Sequence, residues 1–352
     1  MLVAGIAWST NGFDVAFRDA AGETAPRPVH FDPGSLAELG DHLAELNERL
    51  QDELVCVVDS TNGMVDGRLL ARGLRVHRAD PWHLPKRPAL GSVEADALAE
   101  AGVSRDLPRL VLTAGSLTGR SADHARHSEA SAGTLAELTA AGRCLVRGAE
   151  DAVDPVVALT FDDGPNPPWT WRILDTLATY DVPATFFCIG LHASGHPELL
   201  ARMTEAGHRV ANHTWSHPFL PDLSLGELDA QLDRTDEVIE RVTGLRRPRL
   251  FRPPYGSGTP EIFSALGRYD DAMVVMWDVD TNDWAMPGSH AITASVLERA
   301  TPGSIVLMHD GGGDRTQTAD ALPAVIEGLL ERGFRFARID DLPHVTLQGP
   351  GA

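Results

Sequence analysis

The chain has 352 residues, enough for two domains or for one large barrel with an added module. It is 43% hydrophobic and 23% charged, the balance of a soluble globular protein. A net charge of −20 argues against a nucleic-acid partner, whose phosphates need a basic surface, and against docking on anionic lipid. Three widely spaced cysteines, Cys56, Cys144 and Cys188, argue against a disulfide framework and against a cysteine metal site; Cys188 reads as a buried thiol.

In chain order, "LVAGIAWS" (2–9) and "FDVAFRDA" (13–20) read as a hairpin closed by Thr10-Asn11-Gly12, with "PRPVHF" (26–31) as a third strand. Leu36, Leu39, Leu43, Leu46 and Leu50 then recur at helical spacing behind Ser35. "ELVCVVDST" (53–61) is a buried strand, 63–72 a short helix and "LRVHRAD" (74–80) another strand. This order, three strands, helix, strand, helix, strand, resembles the ribonuclease-H-like fold. Members that cut nucleic acid carry a metal-holding acid on the first strand, and "GIAWS" has none. Asp59 stands at the end of a later strand, and one carboxylate does not make a two-metal site. Residues 1–85 are therefore expected to form a non-catalytic α/β module, a scaffold or a surface for oligomerisation or partner binding.

Residues 86–150, rich in Pro, Ala and Ser with helical fragments at 92–102 and 132–145, read as a helical connector in which His124 and His127 are solvated. Beyond it, in 151–345, the pattern becomes regular strand–helix alternation. The strands are "VVALTF", "ATFFCIG", "RVANHT", "LFRPP", "AMVVMWDV", "SIVLMH" and "FRFARI", with amphipathic helices such as 224–243 and 317–332 between them. Seven such units predict an α/β fold of incomplete (β/α)7 barrel type, in which chemistry gathers at the strand ends.

Polar motifs fall at those ends. "LTFDDGP" (159–165) closes an apolar run on Asp162 and Asp163; two adjacent acids repel unless a cation lies between them or one is protonated. A capping acid beside a solvated one remains the alternative on this stretch alone. "NHTWSH" (212–217) sets His213 and His217 four apart, a spacing that can bring two imidazoles to one metal; with one carboxylate they leave positions open for water and substrate. In "FRPPYG" (251–256), Arg252 can pair with a carboxylate, and the rigid turn can fix a backbone N–H near an oxyanion. "WDVDTNDW" (277–284) packs three acids next to an apolar strand, where they need partners; Asp280 facing Arg252 would supply one. "SIVLMHDGGG" (304–313) ends its strand on His309, and its glycines lack the ending of a phosphate loop.

Taken together and in this order, "TFDDG", "HTWSH", "RPPY", "DTNDW" and "LMH" resemble the five motifs of the polysaccharide deacetylase family (carbohydrate esterase family 4, the NodB homology domain), over residues 155 to about 343. The resemblance implies that Asp163, His213 and His217 bind a divalent metal, zinc in most members, with cobalt, nickel or manganese as substitutes. It implies Asp162 as general base, Arg252 held by Asp280 as its tuning partner, and the Tyr255 backbone N–H as an oxyanion donor. His309 would be the general acid, and Trp284 and Leu307 would wall a slot for the acetyl methyl. The implied activity is a metal-dependent N-deacetylase, a hydrolase of carbon–nitrogen bonds other than peptide bonds, acting on an N-acetylated carbohydrate or related small molecule. Acetyl-ester hydrolysis and a non-catalytic binding protein with a relic domain are the alternatives; the intact motif set opposes the second. The N-terminal run has no basic start and ends by Gly12, and no apolar stretch reaches the length of a membrane span, so a cytoplasmic location and an intracellular substrate are expected.

Overall fold

The computed structural model describes residues 1–21, 25–50, 53–79, 84–113, 116–118, 121–149, 155–244, 250–267 and 272–343, apart from the side chains of 112–129. The expected solvation of His124 and His127 thus lies outside the described residues. The first apolar run is a central strand, β1 (Leu2–Ser9). It pairs antiparallel with β2 (Gly12–Asp19), which pairs in turn with β3 (Val29–Phe31). After helix α1 (Leu36–Arg49), strand β4 (Leu54–Asp59) returns parallel to β1. Helix α2 (Gly63–Ala71) and strand β5 (Arg75–Ala79), parallel to β4, complete the expected order.

The segment expected to be a helical connector is divided between the two sheets. Helix α3 (Ala95–Ser104) covers one face of the first sheet, where Val3, Ala7, Val57 and Leu98 form one apolar cluster. Strands β6 (Arg109–Thr113) and β7 (Ser116–Thr118) extend that sheet to the order β3-β2-β1-β4-β5-β6-β7. After α4 (Ser121–Ala140), strand β8 (Cys144–Leu145) joins the second sheet instead. The apolar alternation of "RLVLT" carried the signal for β6; the Pro and Ala around it obscured it.

The second sheet holds β9 (Val156–Asp162), β10 (Thr185–Cys188), β11 (Arg209–Asn212), β12 (Leu250–Phe251), β13 (Met273–Val275), β14 (Val279–Asp280), β15 (Ile305–His309) and β16 (Arg335–Phe336). Between them run α5 (Trp169–Tyr180), α6 (Gly190–Gly195), α7 (Pro197–Glu205), α8 (Leu225–Thr243), α9 (Pro260–Leu266), α10 (Ser289–Arg299) and α11 (Thr316–Glu331). Strand order is β14-β15-β9-β10-β11-β12-β13-β8, all pairings parallel, with β16 beside the start of β9. The single expected strand "AMVVMWDV" is therefore two, one near each edge of the sheet. Flat, β13 and β14 would lie roughly 29 Å apart, six strand spacings. Only residues 276–278 join them, and that link reaches at most about 14 Å. The sheet has to curl, and it forms the expected incomplete barrel.

The two sheets share a core. One apolar cluster runs from Ile6, Trp8 and Phe13 through Leu39 of α1 and Leu69 of α2 to Ile173, Leu199 and Trp215 around the barrel. Among the described residues, no helix is long and apolar enough to cross a membrane.

Candidate active site

β9 is buried along its whole length, as expected of a central parallel strand, and it stops on Asp162. The next residue, Asp163, takes a left-handed backbone with φ 74°. That conformation is costly for a non-glycine residue. It also changes the direction of the second carboxylate, which a continuing strand would send to the opposite face. The break thus falls on Asp163 itself, one residue before the Gly164-Pro165 pair that pointed to it. His213 and His217 stand in the loop after β11. Left-handed Thr214 (φ 69°) and His217 (φ 54°) fold that loop back until the two imidazole centres lie 5.0 Å apart. Gln231 of α8 clamps the loop, its side-chain oxygen accepting from the backbone N–H groups of Trp215 (2.8 Å) and Ser216 (2.9 Å).

Asp163 Oδ1 lies 3.4 Å from His213 Nε2 and 3.2 Å from His217 Nε2, and one ligand atom from each residue falls within 4.8 Å of the others. Metal bonds of about 2.0–2.1 Å at tetrahedral angles place donor atoms roughly 3.3 Å apart, so the three residues fit a small divalent ion. The second nitrogen of His213 points to the Arg252 carbonyl oxygen at 2.7 Å. A carbonyl only accepts, so Nδ1 carries the hydrogen and Nε2 keeps its lone pair for a ligand position. Burial opposes charge on Asp163, but His217, His213 and His309 outweigh it and hold the carboxyl far below the usual range.

Asp162 is held from behind. The fully buried Arg252 guanidinium donates from Nη1 to Asp162 Oδ1 (2.7 Å) and to Thr160 Oγ1 (2.8 Å). Its other nitrogens go to backbone carbonyls, Nε to Val275 (3.2 Å) and Nη2 to Met276 (3.0 Å), and its plane lies 4.1 Å from the Phe187 ring centre. Asp280 thus acts on Arg252 through its charge, after Asp162, and not as the hydrogen-bonded holder that was expected. Carbonyls exposed where the β13 strand breaks off satisfy the arginine, while Asp280 accepts from the Asn282 N–H (2.8 Å) and faces the cavity.

His309 closes β15 in register with Asp162 on β9. Its partner is an acid that the sequence did not single out. Asp283 Oδ1 lies 2.7 Å from His309 Nδ1, and Oδ2 accepts from the His309 backbone N–H (2.8 Å) and from Thr318 Oγ1 (2.7 Å). Burial disfavours the imidazolium, but Asp283, with Asp163 and Asp162 behind it, raises His309 to about 9. Burial likewise works against the Asp283 carboxylate, and His309, Arg315 and Thr318 together hold it low. Among the three acids of "WDVDTNDW", only the position three residues past the β14 end distinguishes Asp283, a signal too slight to read in advance.

These groups line one cavity of about 400 Å³, walled on its apolar side by Trp277, Trp284, Met286, Leu307 and Phe219. Tyr255, left-handed at φ 59°, also lines it, its ring 4.5 Å from that of His217. Every residue expected at the site is brought there except Arg252, which stands behind Asp162 rather than in the wall.

A family model described as polysaccharide deacetylase matches residues 149–272. A chitooligosaccharide deacetylase of Sinorhizobium fredii is 40% identical over 190 residues, 51% of this chain and 88% of that protein. The peptidoglycan-N-acetylmuramic acid deacetylase PdaC of Bacillus subtilis is 41% identical over 202 residues, 56% of this chain and only 42% of its own length. The crystal structure of the Bc1960 peptidoglycan N-acetylglucosamine deacetylase superposes with a TM-score of 0.57 at 34% identity, covering 61% of this chain and 100% of that one. Fold and site define a deacetylase-type enzyme, a hydrolase of carbon–nitrogen bonds other than peptide bonds. The chain belongs to the polysaccharide deacetylase family.

Proposed function

We propose that the protein is a metal-dependent N-deacetylase that releases acetate from an N-acetylated carbohydrate. The observation that carries this reading is the placement, in one cavity, of a carboxylate–two-imidazole donor set between an arginine-held acid and a carboxylate-held histidine. Asp163, His213 and His217 hold the ion, zinc being the best match to two nitrogens and an oxygen. When bound, such an ion supplies Lewis acidity and makes water a usable nucleophile near neutral pH.

The chain's own groups then divide the proton traffic. Asp162, oriented by Arg252 through Oδ1, keeps Oδ2 toward the donor set, 3.7 Å from His213 Nε2. From there it takes the proton of the attacking water. His309, charged at neutral pH because Asp283 holds it so, gives a proton to the departing nitrogen. In this reading the Tyr255 backbone N–H serves the developing oxyanion, and Trp284 and Leu307, which line the same cavity, enclose the acetyl methyl in an apolar slot that disfavours longer acyl groups.

The test is acetate release from N-acetylglucosamine oligomers by the full chain before and after chelation. Activity is expected to vanish with the metal and to return with added zinc or cobalt; release indifferent to chelators overturns the reading. We also propose a cytoplasmic location; recovery of the protein from the wall or medium of its own cells overturns it.

A further inference from the structure

The cavity is not built by the barrel alone. Helix α2 of the N-terminal module lies across it and contributes Gly63, Asp66, Gly67 and Ala71 to its wall. Gly63 and Gly67, four residues apart, lie on one face of that helix. A Cβ on Gly63 would stand 2.3 Å from the His217 carbonyl oxygen and 2.2 Å from the Tyr255 hydroxyl. One on Gly67 would stand 1.9 Å from the Gly312 carbonyl oxygen. Those are the loops that carry a metal ligand and that follow the proposed acid, and only glycine lets a helix approach their backbones so closely.

The module that carries the helix is also fastened there. Arg68 donates to the Asn166 side chain, and the Phe219 N–H donates to the Ser60 carbonyl at 3.0 Å. Arg78 pairs with Asp222 at 2.5 Å and Arg87 with Glu227 at 2.9 Å, both arginine side chains less than one-tenth exposed. With the apolar cluster that runs through both parts, this is a fixed interface rather than a hinge.

We infer that α2 is a permanent roof that turns the site into an end-on pocket for a free N-acetylated sugar or the terminal residue of a short oligosaccharide, and that excludes units inside a polymer. This rests on the deacetylase reading above and narrows it. The cavity volume of about 400 Å³ lies toward the small end of the roughly 300–1,000 Å³ range of small-molecule sites. An internal unit of a chain needs open exits for both its neighbours, and α2 stands on one side of the metal donors.

The experiment offers the zinc-loaded full chain N-acetylglucosamine, its dimer, its hexamer and a soluble acetylated polymer, and locates each lost acetyl group by tandem mass spectrometry. Expected are deacetylation of the small sugars or of one end of the hexamer, with internal positions at least tenfold slower. Internal positions as fast as terminal ones overturn the roof and leave the deacetylase reading standing; no acetate from any probe overturns that reading and the roof with it. Gly67→Ala, which must push α2 off Gly312, is expected to raise the internal-to-terminal ratio at least fivefold. An unchanged ratio in a variant with a native-like circular dichroism spectrum and melt counts against the roof, and the wild-type regiochemistry decides the question if that variant does not fold.

Discussion

Of the parallel strands that end on an aspartate, β4 on Asp59 and β9 on Asp162 put their acids to opposite uses. Asp59 is buried and spends its oxygens within its own module, accepting from the Thr61 N–H (2.9 Å), the Thr61 hydroxyl (2.6 Å) and the Val93 N–H (3.1 Å). Burial raises its carboxyl above the ordinary range, and those donors together with Arg87 only partly offset it. It ties the end of β4 to the segment before α3. Asp162 has one oxygen fixed by Arg252 and turns the other toward the donor set. A strand-end acid is structural when neighbouring donors use up its lone pairs, and chemical when a fixed partner holds one oxygen and leaves the other aimed at a cavity.

The sharpest way to break that comparison is to remove each acid. Asp162→Asn is expected to lower turnover by about 10²–10⁴-fold while keeping bound metal, and Asp163→Ala to lose metal and turnover together. Asp59→Asn is expected to cost about 1–3 kcal/mol of stability while the folded fraction keeps its specific activity. Equal metal loss in the Asp162 and Asp163 variants, measured by elemental analysis, would show that the two have been wrongly separated. Next in size is the effect of Asp283→Asn. The carboxylate stabilises the imidazolium, so its loss moves His309 from about 9 toward the ordinary histidine value of about 6.5. The acid then gives up its proton at lower pH, and the alkaline limb of kcat/KM should move down by a unit or more; a limb that stays put excludes His309 as the acid. Smallest is Ser224→Ala, which removes the capping box of α8 and should cost about 1 kcal/mol in thermal unfolding with kcat unchanged. A much larger loss would show that the cap also serves the α2 roof, through Glu227 and its 2.9 Å contact with Arg87.

What could be read in advance was whatever the local pattern records. Hydrophobic period gave β1 to β5 and the barrel strands, and the residues at the strand ends gave the donor set, Asp162 and His309. What escaped depends on which side chains face each other. Asp280 and Asp283 are chemically alike and three apart, and only the turn after β14 sends one to the cavity wall and the other to His309. Strand β8 has two residues and no period of its own; it exists because β13 offers an edge to pair with. The Gly63–Gly67 pair was visible within a short helix, but its purpose appears only when a loop some 250 residues later comes to rest against it.

Arg252 serves the site through two separate parts of itself. Its guanidinium grips Asp162, and its carbonyl oxygen takes the hydrogen of His213. The proton acceptor and one metal donor are therefore tied to the two ends of a single buried residue, so that a shift of that residue moves both together. A lysine placed there would keep the carbonyl contact and lose the planar grip, so the donor would stay aligned while the acid drifted out of step with it.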